Sequence, residues 1–572
     1  MFIFVDDIKL MTMRRAFFFA LSLSLLILGC ESREDKLPEE GADPRQEYVE
    51  LIQAYDDGKI LSSAAHQDDG CLITFADDSE LMIHRTSFQI HDCTEAEPAK
   101  VEFSGNMWKV DGELTDIKID IAASDKDAFP VYVYFDAKTL YAHISNSKLL
   151  KFNSKVLIQE EEDRKAQEEE DARREEEEEQ KAKEELERRQ NIPVIYVNTG
   201  GKPIVDKKNY VDGTITIKDP GKLYNDVEEI TLDMGIRGRG NSTWGFPKKP
   251  YKVKLKEEAS LMGMPADKEW CLLANYADRT LLRNIVAMKL SEICGFSWTP
   301  RMVSVEVYLN SKYQGVYTFC EHKKVSADRV NIDLDAGDCY LEIEQQQDET
   351  TCWWTGMRVP MMFSDPEVPS DEQLAYIKKY FEDFETSLYS PDFADSEKGY
   401  AAYIDVDSFI DYFIVQELSK NTDGNLRKSS FITKENGKKL EMYHLWDFDL
   451  TFGNSGWVMH DPEGWWVKDY DPSCNIGDNW FNRMFRDPAF VAKVQTRWNE
   501  LLPQLEAIPD FIDEQALYLD KAKDRNFGVW SIWESVDWVD CPSLGSYEKE
   551  IGFFKEFYTK RVAWMTKALN SL

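Results

Sequence analysis

Three rhythms of apolar and polar positions follow one another along this chain. From about Glu47 to Phe152 the runs are short and alternate with period two, as in Cys71-Leu-Ile-Thr-Phe, Glu80-Leu-Met-Ile-His and Pro130-Val-Tyr-Val-Tyr-Phe. Turn clusters such as Gln67-Asp-Asp-Gly separate them, so residues 47–155 read as a small all-β domain. Gln159 to Gln190 then carries almost no apolar side chain, Leu186 being the only large aliphatic residue. Glu precedes a basic residue by four positions at Glu160/Arg164, Glu169/Arg173, Glu177/Lys181 and Glu185/Arg189, the favourable order on a helix. The pattern predicts a free-standing charged helix about 48 Å long, at about 1.5 Å per residue, and no coiled-coil seam. Residues 156–191 are accordingly expected to be a semi-rigid linker.

From Ile192 to Leu572 strand and helix signals mix, which predicts an α+β domain. Val194-Ile-Tyr-Val and Ile230-Thr-Leu-Asp-Met-Gly-Ile read as strands, and Tyr251-Lys-Val-Lys-Leu alternates again after Pro247. A helix is expected from Asp278, its N-cap, with Leu282, Ile285, Val286 and Leu290 as its buried stripe. Val303–Leu309 and Tyr313–Phe319 form a hairpin around Asn310-Ser-Lys. Val406 to Leu418 is amphipathic, with Gly424 the expected C-terminal stop. Phe431-Ile-Thr-Lys and Leu440–Leu445 flank a Glu435-Asn-Gly-Lys turn, and from Trp480 onward aromatic stripes such as Phe490, Val494, Trp498 and Leu502 predict core helices.

Length and composition sharpen this picture. A chain of 572 residues with 43% hydrophobic content has room for more than one folded domain. A net charge of −37 opposes nucleic-acid and anionic-membrane surfaces, so an anionic ligand would need a local basic pocket. At the N-terminus Arg14 and Arg15 precede the apolar run Ala16–Leu28, too short for an ordinary transmembrane helix, and the run ends in Ile-Leu-Gly-Cys30. Residues 1–30 therefore resemble a bacterial lipoprotein signal, in which Cys30 is acylated and becomes the new N-terminus. Residues 31–46 read as an acidic tether, and the acids after Cys30 resemble surface-export tags of Bacteroidetes lipoproteins. The expected location is the cell envelope, facing either the periplasm or the exterior. Export permits disulfides, and Cys71 with Cys93 is the best candidate pair; most other cysteines are expected as buried thiols.

The candidate chemistry centres on Leu445-Trp-Asp-Phe-Asp-Leu-Thr-Phe-Gly-Asn454. If the stretch ends a strand, Asp447 and Asp449 share one face and Trp446, Phe448 and Leu450 the other. Two converging carboxylates suit a hard divalent cation, Mg²⁺, Mn²⁺ or Ca²⁺. Asp423 lies in a loop before the hairpin that delivers them. Upstream, Arg237-Gly-Arg-Gly-Asn-Ser-Thr-Trp244 joins two strands, unlike a Rossmann turn or a P-loop. Strand, glycine loop, strand, lysine, then a loop Asp and a metal Asp is the order protein kinases use.

Taken with Leu-Leu-Arg-Asn, Tyr-x-Gly-Val-Tyr-x-x-x-Glu, Asn-x-Asp and Trp-Asp-x-Asp-x-x-x-Gly, these motifs make residues 192–572 similar to the spore coat protein H (CotH) kinase family. The resemblance implies an atypical protein kinase fold that transfers phosphate from ATP to Ser or Thr with Mg²⁺ or Mn²⁺. It implies that Arg237, Gly238, Arg239, Gly240, Asn241, Ser242 and Thr243 sit over the phosphates, with Lys249 or Lys252 pairing with them. Arg283 or Glu321 would support that lysine or the nucleotide. Asp423 would be the catalytic Asp with Asn421 beside it, and Asp447 and Asp449 would hold the metal. Two positions depart from the kinase pattern: Thr243 replaces the third glycine, and Lys428 stands where a kinase carries Asn. The implied partners are a protein acceptor and the membrane, the latter through the lipid only. The competing expectation is a non-catalytic surface lipoprotein that keeps the fold as an adhesion or glycan-binding module.

Overall fold

The computed structural model describes residues 44–572 except 68–69, 85–88, 93–100, 105–106, 111–112, 119–129, 136–137, 145–147, 225–227, 346–350, 457–459, 470–478 and 534–542. Cys30 and Cys93 therefore lie outside the described residues, and with them the lipidation site and the Cys71/Cys93 pair. The chain divides into two compact units, Met1–Glu179 and Gln180–Leu572. Among the described residues no helix is long and apolar enough to cross a membrane.

The first unit is not all-β. Its described part opens with a helix, Pro44–Asp56, whose Tyr48, Leu51 and Ile52 are buried in one core with Cys71, Ile73, Ile83 and Val133. The sequence carries the signal for it, since Tyr48, Leu51, Ile52 and Tyr55 recur at helical spacing. Among the described residues ten short strands follow, in two three-stranded sheets and one four-stranded sheet. The charged helix spans Lys155–Arg189. Glu185/Arg189 pairs as anticipated, at 2.7 Å, but Arg164 turns to Glu168 instead of Glu160. The reason is local: Glu160 accepts from Lys138.

In the second unit seven strands close into a barrel: Val194–Asn198, Val211–Lys218, Glu229–Gly238, Tyr251–Leu261, Met264–Leu273, Lys312–Glu321 and Met302–Leu309. Parallel pairing of the first with the last completes the ring. Alternation sends Ile195, Ile215, Val253, Trp270, Val305 and Phe319 into its packed interior. The expected hairpin turn is present at Asn310 and Ser311, both with positive φ, as a tight two-residue connection requires.

A five-stranded antiparallel sheet follows, in the order Trp353–Trp354, Pro360–Asp365, Cys339–Ile343, Ser430–Lys434, Leu440–His444. One face packs Leu341, Ile343, Ile432 and Met442 into the large helical core with Phe409, Phe413, Trp480 and Trp498. The stripes from Trp480 onward are core, in the helices Trp480–Met484, Pro488–Glu506 and Tyr547–Asn570. Two helix boundaries differ from expectation. The Arg283–Cys294 helix starts five residues after Asp278, because Asp278 instead folds a turn by accepting from the Thr280 and Arg283 amides. The Val406–Ser419 helix ends at Lys420 in the left-handed region rather than at Gly424. Gly424 instead lies against Gln416, whose Oε1 would be 1.8 Å from a Cβ there and would have to shift.

That helix end is anchored by a fully buried ion pair, Glu417 with Arg561 of the last helix. Glu417 accepts from the amides of Trp466, Val467 and Lys468, while Arg561 donates to the carbonyls of Pro462 and Gly464. Both charges are thus satisfied, and the pair ties the 462–468 segment to the core. Breaking it strands one charge, so Arg561→Ala is expected to cost about 3–5 kcal/mol in urea unfolding. A cost under about 1 kcal/mol would contradict this role.

Candidate active site

A cavity of about 500 Å³ opens between the barrel and the five-stranded sheet. The volume suits a nucleotide-sized ligand. Its barrel wall is Arg239–Thr243, the loop after the strand Glu229–Gly238, together with Leu273–Tyr276. Gly240 has φ +79°, and a Cβ on it would meet Thr243 Oγ1 at 2.1 Å, so the turn demands glycine. Its sheet wall carries Lys323, Glu342, Glu344, Asp423, Arg427, Lys428, Asp447 and Asp449.

Leu445–Asn454 is not a strand end. The strand Leu440–His444 stops first, and Asp447 adopts φ +67° in a loop. Both carboxylates still reach the cavity because the loop is clamped from beneath. Asn284 Oδ1 accepts from the Phe448 amide at 2.8 Å, and Arg283 Nε donates to the Thr451 carbonyl at 2.9 Å. Asn454 Nδ2 donates to the Asp449 and Ala277 carbonyls, and Thr422 Oγ1 to the Leu450 carbonyl. Arg283 is itself fixed by a buried ion pair with Asp278. The Arg-Asn of Leu-Leu-Arg-Asn therefore holds the aspartate loop.

Asp423 sits across from that loop. Its amide is capped by Asn421 Oδ1 at 3.1 Å, and Lys428 Nζ lies 3.8 Å from its carboxylate. Ser429 Oγ reaches Asp447 Oδ2 at 3.4 Å. Burial pushes the Asp423 carboxyl above the ordinary range, and Asp447 adds to the push while Lys428 opposes it. Asp449 is held well above its ordinary value by burial, then by the charges of Asp447, Asp423 and Asp278.

The remaining sequence candidates lie elsewhere. Arg237 donates to the Lys207 carbonyl and stacks over Tyr210. Gly238 passes under Trp244, where a Cβ would meet the ring at 2.5 Å. Lys249 Nζ donates to the Trp244 carbonyl at 2.7 Å, and Lys252 pairs with Glu269 at 3.2 Å on the neighbouring strand. Glu321 accepts from the Arg301 amide and guanidinium. None of these, nor Arg283 and Asn421, lines the cavity. Among the lysines that line it, Lys323 stands 4.2 Å over Phe431 and pairs with Glu342. Their signal was in the sequence: Glu342 sits between Leu341 and Ile343 on the buried strand Cys339–Ile343, and Lys323 lies in the basic run His322–Lys324. Lys248, from the same Pro-Lys-Lys-Pro run as Lys249, also lines the cavity but spends its ammonium on Val316 O and Asn526 Oδ1.

Among the described residues no three His, Cys, Asp or Glu side chains close into a ready metal cage. Mg²⁺ does not require one, since it is commonly held by one or two carboxylates, water and the substrate's own phosphates. The mutual repulsion around Asp449 is what a cation carried in with phosphates would relieve, so the donor set fits Mg²⁺ or Mn²⁺.

The CotH kinase protein family matches residues 236–565, and the chain belongs to it. No curated protein matches the sequence significantly.

The fold holds the Asp449 proton more tightly than the unfolded chain does. Stability from this group is therefore present at low pH and lost as pH rises through the raised value. Asp449→Asn should accordingly raise the metal-free melting temperature, more at pH 8 than at pH 5, and abolish stabilisation by Mg²⁺-nucleotide. A fall in metal-free stability at pH 8 would refute the repulsion argument.

Proposed function

We propose that the chain is a divalent-metal-dependent protein kinase that moves the ATP γ-phosphoryl group to a Ser or Thr hydroxyl of a protein acceptor. The same reading makes it an exported lipoprotein, held to the membrane through acylated Cys30. The observation that carries the catalytic part is Asp423, Asp447 and Asp449 facing the Arg239–Thr243 loop across one cavity. The acceptor oxygen attacks the γ-phosphorus, the bond to the bridging oxygen of ADP breaks, and Asp423 takes the hydroxyl proton. Its upward-shifted carboxyl brings it closer to the pH at which it must work. Arg239, Lys323 and the loop amides offset charge on the phosphates, and Asp447 with Asp449 would hold the cation, which neutralises further charge. Lys323, paired with Glu342, takes the phosphate-lysine role in place of Lys249 or Lys252.

Three variants test this. With the whole chain, γ-labelled ATP and Mg²⁺ or Mn²⁺, label should appear on Ser or Thr of the chain or of a generic acceptor. Asp423→Ala should lower it by about 10²-fold or more. Undiminished label would remove Asp423 from the chemistry. No label and no thermal shift from metal-nucleotide would leave a binding module instead. Lys323→Ala should raise the KM for ATP at least tenfold while Lys249→Ala changes it less than threefold; the reverse order would restore Lys249.

A further inference from the structure

Behind the phosphate loop lies a cluster that the proposed reaction does not use. Cys271 and Cys320 face each other directly across the antiparallel strands Met264–Leu273 and Lys312–Glu321, and both are fully buried. Directly opposed residues on antiparallel strands have Cα atoms about 4.5–5.5 Å apart, inside the disulfide range of about 4.4–6.8 Å. Side chains at opposed positions also leave the sheet on the same face, and in this structure both are free thiols.

Titratable groups surround the pair in the finished fold. His322 Nδ1 lies 3.5 Å from Cys271 Sγ, and its Nε2 lies 4.0 Å from Glu269, which Lys252 and Lys254 hold at 3.2 and 3.3 Å. Burial alone would push the Cys271 thiol up. The hydrogen bond with Cys320 and the charges of Arg239 and His322 outweigh it and hold Cys271 well below the ordinary thiol range. Cys320 is pushed the other way, by burial and then by Cys271.

We propose that Cys271 and Cys320 are joined by a cross-strand disulfide when this chain folds in an oxidising compartment. While both cysteines are still exposed during folding, the Cys271 thiol loses its proton to solvent and its thiolate attacks one sulfur of a disulfide oxidant, whose S–S bond breaks to release one thiolate. Cys320 loses its proton to solvent and attacks the Cys271 sulfur of the mixed disulfide. The second thiolate leaves, and two electrons have passed from the cysteine pair to the oxidant. Because both sulfurs are buried in the finished fold, the bond forms during folding, and it staples the strand leading to Leu273–Tyr276 of the cavity wall onto its neighbour. The oxidising surroundings rest on the export proposed above, but the bond does not rest on phosphotransfer.

The test uses the whole chain, reduced, unfolded and refolded in a buffer of reduced and oxidised glutathione. Remaining thiols are then alkylated and the protein cut after Lys and Arg, which separates the two cysteines at Arg279, Arg283, Lys289, Arg301 and Lys312. The expected result is one reductant-sensitive linked pair of peptides carrying Cys271 and Cys320, in amounts matching the folded fraction. Recovery of both as alkylated thiols from folded protein overturns the proposal, as does linkage of either to a different cysteine. Refolding needs no export, so a link formed there supports the bond even if the secretion reading fails.

Discussion

Everything in the candidate site depends on a buried clamp. Asp278, Arg283 and Asn284 lie beneath the Leu445–Asn454 loop and satisfy its backbone, with the Asp278–Arg283 pair almost wholly removed from water. A loop whose Asp447 has positive φ and whose two carboxylates crowd a third is unfavourable in itself. Such a conformation persists only where the surrounding structure over-determines it. Here the over-determination comes from below, through Arg283, Asn284, Asn454 and Thr422. The carboxylates themselves are left facing the cavity.

The second requirement is an opposing wall. The barrel supplies it by joining two long strands through the Gly240 turn, which presents Arg239–Thr243 to the cavity. Trp244 covers Gly238, and Lys249 stacks on Trp244, so residues around the turn serve to shape it. The sheet wall is fixed differently, by burying Leu341, Ile343, Ile432 and Met442 against the helical core. Positions on the opposite face are then free to carry charge, and Glu342 meets Lys323 there. Glu417 and Arg561 do for the 462–468 segment what Arg283 does for the aspartate loop, and Trp466 Nε1 donates to the Asn421 carbonyl beside Asp423. Buried charge in this unit is spent on holding irregular backbone near the cavity.

Much of this was legible in the residues. The strand–loop–strand at Arg237–Thr243, the Asn310-Ser311 hairpin and the core helices after Trp480 all follow from periodicity and turn chemistry. Asp423, Asp447 and Asp449, singled out by their order in the chain, line one cavity. What escaped were tertiary choices among chemically equivalent residues. Lys249, Lys252 and Lys323 look alike in sequence, and only packing decides that the first two are consumed by Trp244 and Glu269. Arg283 and Glu321 carry charge suited to a ligand, yet each has a nearer partner within the protein. Asp278 looked like an N-cap because its type and position fit, and the helix began later because that carboxylate was needed for Arg283. The helix Pro44–Asp56 falls mostly within the segment expected to be β, from residue 47, and its Tyr48, Leu51 and Ile52 bury into the core of that unit.

The central claim is that the aspartate loop and the glycine-turn loop grip one metal-nucleotide between them. The direct measurement is anomalous diffraction from crystals grown with Mn²⁺ and a non-hydrolysable ATP analogue. The account predicts a manganese peak bonded to carboxylate oxygens of Asp447 and Asp449, with the phosphates beneath Arg239–Thr243 and within reach of Lys323. Nucleotide bound elsewhere, or bound in the cavity with the metal away from both aspartates, would contradict it.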